Sequence, residues 1–158
     1  MKRDLPDNVF RASVGAVIMN QHGKVLALER IDIKGAWQLS QGGMDEGEEP
    51  IDAIFREIME ETNITESMLE VVAEYPDWLT YELSKEKRSG KYGRGQVQKW
   101  FLLRFTGTDN DIDLKNIKEQ EFSNWKWTTL NSLAKETVAF RKRIYKKLAD
   151  GFAGFFKD

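Results

Sequence analysis

The chain has 158 residues, and its 24 basic and 26 acidic side chains give a formal net charge of −2. The length suits a single domain, residues 1–158, with a real hydrophobic core. A sequence without cysteine excludes disulfides, thiolate metal sites and cysteine nucleophiles, and one histidine excludes a zinc site of several histidines. Any catalysis must therefore use carboxylates, lysine, tyrosine, hydroxyls or a metal held by oxygen.

The distribution of apolar and charged residues bears on location and partners. No apolar run approaches the length of a membrane span, and the N-terminus lacks a charged-then-apolar signal. We therefore expect a cytoplasmic protein with no membrane partner, as a monomer or a dimer. Basic residues cluster at 85–99 and 141–147, whereas acidic residues cluster at 45–61.

The first half of the chain predicts strands and then a helix. Strands are expected at 11–19 and 24–29, and a short one at 37–39 before a Gly42-Gly43 loop that can turn sharply toward a ligand. Pro50 suits the first turn of a helix. The apolar residues of this predicted helix form a stripe with helical spacing, and Asn63, which follows the last of its turns, tolerates the left-handed cap conformation. The stripe consists of Ile51, Ile54, Phe55 and Ile58.

The second half alternates strands with loops and ends in a helix. A Gly- and Lys/Arg-rich exposed loop is expected at 84–95 and a helix at 133–152, with Phe140 on its apolar stripe. Strands are expected at 69–75, 77–81, 96–105 and 122–128. Because regular βαβ alternation is missing, the pattern favours an α+β fold, an α/β/α sandwich with a mixed sheet between helices.

Three carboxylates, Glu57, Glu60 and Glu61, stand at the end of the first predicted helix, where they are locally unfavourable. Like charges at i, i+4 cost roughly 0.2–0.5 kcal/mol per pair. Each carboxylate in the last turn also opposes the helix dipole by about 0.3–1 kcal/mol. A bound hard cation would reverse both effects, since clustered carboxylates suit Mg²⁺ or Mn²⁺. A solvated acidic face is the alternative.

The loop and helix together carry a spaced pattern. It is Gly42, five residues, Glu48, seven residues, Arg56-Glu57-Ile58, one residue, and Glu60-Glu61, ending at 62–64. This resembles the signature of the Nudix hydrolases over residues 42–64. One position departs, since Asn63 stands where the family has glycine.

The resemblance extends over residues 10–150. The segments "WQLSQGG", "DWLTYEL", "GQVQKWFLLRF", "EFSNWKW" and "VAFRKRIYKKL" resemble the bacterial RNA pyrophosphohydrolases and the related dinucleoside polyphosphate hydrolases. Departures are Ser40, where that branch usually has proline, and an altered loop at 30–36.

The resemblance implies the Nudix fold and a metal site. It makes Glu57 and Glu61 the principal Mg²⁺ ligands, with Mn²⁺ as a substitute, and has Glu60 share a metal or a water. Gly42 would offer a carbonyl to the metal, and Glu121 would add to metal binding and catalysis. The supporting pair would be Arg56 with Glu48, which orients the helix.

The implied reaction is attack of a metal-activated water on a phosphorus of a polyphosphate. Proton removal needs a carboxylate within reach. Glu57, Glu60 and a glutamate from a later loop, such as Glu121, are the candidates for the general base.

A triphosphorylated 5′ end of single-stranded RNA needs cations for its phosphates and an aromatic face for its base. With the resemblance, Phe140 is expected to stack on the first base, although its periodicity alone favours core packing. Arg141 would contact phosphate or base. Arg30 matches a phosphate-binding position, with a surface charge as the alternative.

The remaining substrate contacts are less defined by the pattern. Tyr81 either lines the pocket or belongs to the core, and Gln98 and Lys99 are expected to have a substrate role. Residues 85–99 form either a basic rim for the RNA backbone or a plain solvated loop.

The predicted function is metal-dependent removal of pyrophosphate from 5′-triphosphorylated RNA, which leaves a 5′-monophosphate and promotes mRNA decay. The alternative is hydrolysis of nucleoside polyphosphates such as diadenosine tetraphosphate. A non-catalytic nucleotide- or RNA-binding module is a third hypothesis, against which the intact glutamates argue.

Overall fold

The computed structural model describes residues 8–88 and 93–156, and within these ranges eight strands form one mixed sheet. The central order is β3-β2-β1-β7-β5; β4 also pairs with β1, β6 with β7 and β8 with β2. β1 and β7 run parallel, and the other pairs are antiparallel. The strands are β1 (Phe10–Met19), β2 (Val25–Arg30), β3 (Trp37–Gln38), β4 (Ser40–Gly43), β5 (Leu69–Glu74), β6 (Leu79–Glu82), β7 (Gly95–Phe105) and β8 (Phe122–Thr128).

Helices cover both faces of this sheet. They are α1 (Pro50–Thr62), α2 (Leu130–Glu136) and α3 (Ala139–Gly151). On one face α1 buries its apolar stripe, and Ile54 and Ile58 belong to the same core cluster as Leu103 of β7. On the other face Leu148 and Leu133 share a core cluster with Leu102. The predicted α/β/α sandwich is confirmed.

The predicted helix over 133–152 is wrong as one element, because the chain forms two helices there. Thr129 caps α2, its hydroxyl accepting a hydrogen bond from the Ser132 N–H at 3.1 Å. Thr137 and Val138 both adopt extended backbone angles and redirect the chain before α3 begins. Both residues are β-branched, a side-chain type with lowered helix propensity. The break places Phe140 in the first turn of α3 rather than in the middle of a long helix.

The prediction of a sharp turn at Gly42-Gly43 is also wrong. These residues form the end of β4, where Gly42 pairs with Val14 and Gly43 with Ser13 of β1. Neither glycine has a positive φ. Their lack of a side chain serves close packing at the site described below.

Asn63 ends α1 as the sequence predicts. It has φ 64° and ψ 8°, and its backbone N–H donates to the Met59 carbonyl at 3.1 Å. Its side-chain amide also donates to the Asp113 and Asn116 carbonyls at 2.8 and 3.1 Å. Asparagine therefore supplies the left-handed cap and also ties the helix end to the loop that follows β7.

Candidate active site

Two of the three carboxylates of α1 are buried. Glu57 and Glu61 are 5% and 3% exposed, whereas Glu60 is exposed. The Glu61 Oε1 atom accepts a hydrogen bond from the Ser40 hydroxyl on β4. The other oxygen, Oε2, is buried and has no hydrogen-bond partner within residues 8–88 and 93–156. Two carboxyl groups at the end of the helix therefore face the protein interior rather than solvent.

The surroundings of Glu61 disfavour its ionised form. Burial raises the pKa of the Glu61 carboxyl well above its usual range, and the hydrogen bond from Ser40 opposes that rise. The charges of Glu57, Glu121 and Glu60 raise the pKa of Glu61 further. Because like charges gather around a buried carboxylate, a cation placed among them would be strongly favoured.

Gly42 lies where β4 passes the α1 carboxylates. A Cβ atom added to Gly42 would lie 2.0 Å from Cδ and 2.2 Å from Oε2 of Glu57. A Cβ atom on Gly43 would lie 2.1 Å from a guanidinium nitrogen of Arg11. The two glycines thus let a carboxylate and a guanidinium pack directly against the backbone of β4.

Arg56 joins the beginning and the end of the Nudix-like signature, residues 42–64, which we call the box. Its guanidinium donates to both carboxylate oxygens of Glu48 at 2.8 and 2.9 Å, and to the Gly43 carbonyl at 3.0 Å. It also donates to Glu57 at 3.0 Å and to Glu60 at 3.3 Å. These bonds raise the pKa of Arg56, with Glu48 making the largest contribution. The arrangement fixes the loop before α1 against the acidic turn.

The donors at this end of α1 suit a hard divalent cation. They are carboxylate oxygens, one of them a buried and unpartnered atom of Glu61, beside a glycine whose missing Cβ leaves room for Glu57. Among the described residues, however, no three acidic or histidine side chains already converge closely enough to hold a metal ion. The chemistry of the donors fits the cation that the sequence predicts, although they do not form a preformed cage.

A cavity of about 780 Å³ opens beside these residues. Its walls combine acidic, cationic and aromatic groups from both ends of the chain. It is lined by Arg11, Arg30, Ile31, Asp32, Gln38, Gln41, Gly42, Gly43, Glu57, Tyr81, Leu83, Lys87, Gln96, Glu119, Glu121, Phe122, Phe140 and Arg141. The structure thus brings together Glu57, Gly42 and Glu121 with four of the predicted substrate residues, which are Arg30, Tyr81, Phe140 and Arg141.

Tyr81, Phe140 and Arg141 form an aromatic and cationic cluster in the cavity wall. Phe140 is partly buried, and its ring centroid lies 4.8 Å from that of Tyr81 and 5.0 Å from the guanidinium carbon of Arg141. Arg141 is 9% exposed and donates to the Gln38 side chain at 3.1 Å, while its Nε has no partner in the described part of the chain. Phe140 and Tyr81 therefore pack against the core and also line the cavity.

Arg30 lies at the end of β2 on the cavity wall, and its guanidinium forms an ion pair with the Asp32 carboxylate. Nε and one terminal nitrogen donate to the two oxygens of Asp32 at 2.9 and 2.6 Å. This bond with Arg30 lowers the pKa of Asp32. A phosphate would meet the same two-pronged donor face that now holds the carboxylate.

Two predicted substrate residues are not in the cavity wall. Gln98 is buried, and its amide nitrogen donates to Gln96 at 3.2 Å, behind the wall. Lys99 points to the other face of β7, where it donates to the Tyr75 carbonyl at 3.0 Å and lies 3.4 Å from Glu74. The expected contact of Lys99 with substrate is therefore not supported, because adjacent residues of a strand face opposite ways.

Several cavity residues were not among the predicted site residues. Arg11 adds a cation from the start of β1, and Gln38 and Gln41 belong to the "WQLSQGG" segment. The parallel pairing of β1 with β7 brings Arg11 opposite Gln96. Because this pairing joins residues 85 positions apart, no local pattern marks Arg11 as a site residue. Gln38 and Gln41 could have been found from the sequence, since their segment carries the family resemblance. Segment 85–99 lies partly outside the described residues, and of its described basic residues Lys87 lines the cavity.

A model of the NUDIX domain matches residues 9–148, which is most of the chain. The chain belongs to the NUDIX domain family. It is therefore a hydrolase that acts on phosphoanhydride bonds, and Nudix hydrolases generally depend on a divalent metal.

Named relatives cover nearly all of this Nudix chain. It is 40% identical over 154 residues to the RNA pyrophosphohydrolase of Erythrobacter litoralis, with 94% of each chain covered. It is 40% identical over 156 residues to "Nudix hydrolase 26, chloroplastic" of Arabidopsis thaliana, covering 94% of this chain and 71% of that protein. A solved C. elegans Ap4A hydrolase complex superposes with a TM-score of 0.68 and 27% identity, over 92% of this chain and 99% of that one.

In the part of this Nudix chain that the structure describes, the helices are all too short or too polar to span a bilayer.

Proposed function

We propose that this Nudix hydrolase removes pyrophosphate from the 5′ end of triphosphorylated RNA. The observation that carries the proposal is one cavity that joins Glu57 and Gly42 to Phe140 and Arg141. A 5′-triphosphate end presents an anionic chain and a base with a free face, so its two parts match the two walls. The full-length similarity to proteins named RNA pyrophosphohydrolase supports the same substrate.

Each group of residues has a proposed role. Phe140 stacks on the first base, Arg141 and Arg30 bind phosphate oxygens, and Tyr81 packs against the Phe140 ring. To bind phosphate, Arg30 exchanges the Asp32 carboxylate for a substrate oxygen, an exchange of one two-pronged ion pair for another. Arg11, on the wall beside Gly43, adds positive charge near the acidic box.

The acidic residues would bind the divalent cation, and one of them would accept a proton from the attacking water. Mg²⁺, with Mn²⁺ as a substitute, would be held by Glu57, Glu60 and Glu61 of α1, the Gly42 carbonyl and Glu121. When bound, the cation neutralises charge that develops on the phosphate oxygens and makes water a better nucleophile. Glu57, Glu60 and Glu121 are the candidates to accept the proton of the attacking water. Arg56 and Glu48 keep the box in register for this work.

The test is conversion of a short triphosphorylated RNA by the purified chain in Mg²⁺. We expect pyrophosphate release and an RNA that becomes a substrate for a 5′-monophosphate-dependent exonuclease. Glu61→Gln should abolish the conversion, and Glu66→Gln, an exposed glutamate beyond the helix, is the matched control that should retain it. Retention of full activity in Glu61→Gln would contradict the proposal.

A dinucleoside polyphosphate is the second candidate substrate. It is favoured by the likeness to the C. elegans Ap4A hydrolase, which extends over nearly the whole chain. The same walls would bind a nucleotide and a polyphosphate. Faster cleavage of diadenosine tetraphosphate than of triphosphorylated RNA would favour this candidate. A cytoplasmic location and a role in mRNA decay stay predictions.

A further inference from the structure

Ser40 makes a contact at the buried end of α1 that the reaction described above does not use. It is the first residue of β4 and is 2% exposed. Its hydroxyl donates to the Oε1 atom of Glu61, across 21 residues of sequence. The opposite oxygen of the same carboxylate has no hydrogen-bond partner in the ranges that the structure describes.

This asymmetry has a chemical consequence. A buried carboxylate needs donors for its oxygens, and the structure supplies one of them through Ser40. Since Oε1 is engaged by the hydroxyl, Oε2 is the oxygen that remains for a cation. The hydroxyl hydrogen bond also restricts rotation of the carboxylate, which an unsupported glutamate side chain would retain.

We propose that Ser40 is a positioning residue that fixes the Glu61 carboxylate so that Oε2 is held for the divalent cation. The inference rests on the proposed role of Glu61 in holding that cation. Groups that hydrogen-bond to metal ligands commonly contribute roughly 10–100-fold to metal affinity or activity. Ser40 lies on the sheet and Glu61 on the helix, so the contact also couples the helix end to β4.

The test measures Mn²⁺ binding to the intact chain without nucleotide or RNA, from the free-ion signal in electron paramagnetic resonance. Ser40→Ala removes the donor, and we expect its dissociation constant for Mn²⁺ to rise about tenfold or more. Ser40→Cys, with a similar shape and a weaker donor, should give an intermediate value. It also keeps the test available if the alanine variant folds poorly.

The matched control is Thr62→Val. Thr62 is the next residue along the helix and is fully buried, but its hydroxyl donates to the Ile58 carbonyl at 2.7 Å rather than to a carboxylate. We expect this variant to bind Mn²⁺ like the wild type. Unchanged Mn²⁺ affinity in Ser40→Ala, or an equal loss in Thr62→Val, would overturn the inference.

This result is independent of the substrate. Because no RNA is present, failure of the RNA pyrophosphohydrolase proposal would leave the binding comparison intact. In the activity assay, Ser40→Ala should raise the Mg²⁺ concentration needed for half-maximal rate and leave the KM for RNA at saturating Mg²⁺ within about twofold. A change in KM alone would instead place Ser40 in the substrate site.

Discussion

Replacing Glu61 by glutamine should stabilise the metal-free protein while it abolishes activity. Glu61 is 3% exposed, and its Oε2 has no partner in the described residues. An unsatisfied buried polar group costs about 1–3 kcal/mol, and more when it is charged. Glutamine keeps an oxygen that can accept from Ser40 and removes the charge, so the expected gain is the charged part of this cost, because the amide nitrogen would be buried in place of Oε2. For a chain of this size about 1 kcal/mol corresponds to roughly 2–4 °C in Tm, so we expect a rise of several degrees.

The pH dependence of this gain follows from the raised pKa. The pKa of Glu61 is ordinarily 4.5, and burial raises it in the folded state. Between pH 4.5 and the higher pKa of the folded state, the folded protein binds more protons than the unfolded chain, so its stability falls as pH rises. Below pH 4.5 the carboxyl is protonated in both states, and the difference between wild type and Glu61→Gln should become small. Above the folded pKa the difference should reach its maximum.

The assay is thermal unfolding from pH 4 to 8 in the presence of a chelator. The control is Glu60→Gln, since Glu60 lies on the same turn but its side chain is 57% exposed; it should bring no comparable gain. Adding Mn²⁺ should then raise the Tm of the wild type but not that of Glu61→Gln. A lower Tm of metal-free Glu61→Gln at neutral pH, or a gain that does not depend on pH, would refute the reasoning.

Three further substitutions test the cavity walls. Phe140→Ala should raise the KM for triphosphorylated RNA roughly 5- to 100-fold, because stacking of a base on an aromatic ring contributes about 1–3 kcal/mol; an unchanged KM would return Phe140 to the core alone. Gly42→Ala should cut kcat, because its Cβ would lie 2.0 Å from the Glu57 carboxylate and displace it, whereas urea unfolding should show a smaller effect, since the end of the Glu57 side chain can shift. Asp32→Asn should lower the KM only a few-fold, since its ion pair with Arg30 is exposed and screened by solvent; a raised KM would show that Asp32 supports binding.

Local patterns predicted the parts of this protein that depend on short-range rules. The helical stripe that includes Ile54 and Ile58, with Pro50 in the first turn and Asn63 as the left-handed cap after the last turn, predicted α1 from residues close together in sequence. β8 at Phe122–Thr128 has the predicted bounds. The spacing of the box likewise identified a family that the comparisons confirm.

Features set by tertiary contact were not predictable in the same way. The glycines of β4 are needed because Glu57 and Arg11 pack against them, not because of a turn, and that packing depends on how β4 pairs with β1. The chain forms two helices separated at Thr137 instead of the single predicted helix, although the apolar spacing continues across the break. Lys99 follows Gln98 in sequence but faces the opposite side of the sheet, a distinction that requires the register of β7.

The central claim is that the joined cavity is built for the 5′ end of RNA. The most direct test is the ratio of kcat/KM for a short triphosphorylated RNA to that for diadenosine tetraphosphate, measured in one mixture with Mg²⁺. We predict a ratio well above ten in the wild type, and Glu61→Gln should abolish hydrolysis of both substrates. A ratio below one would contradict the account and make this chain a dinucleoside polyphosphate hydrolase.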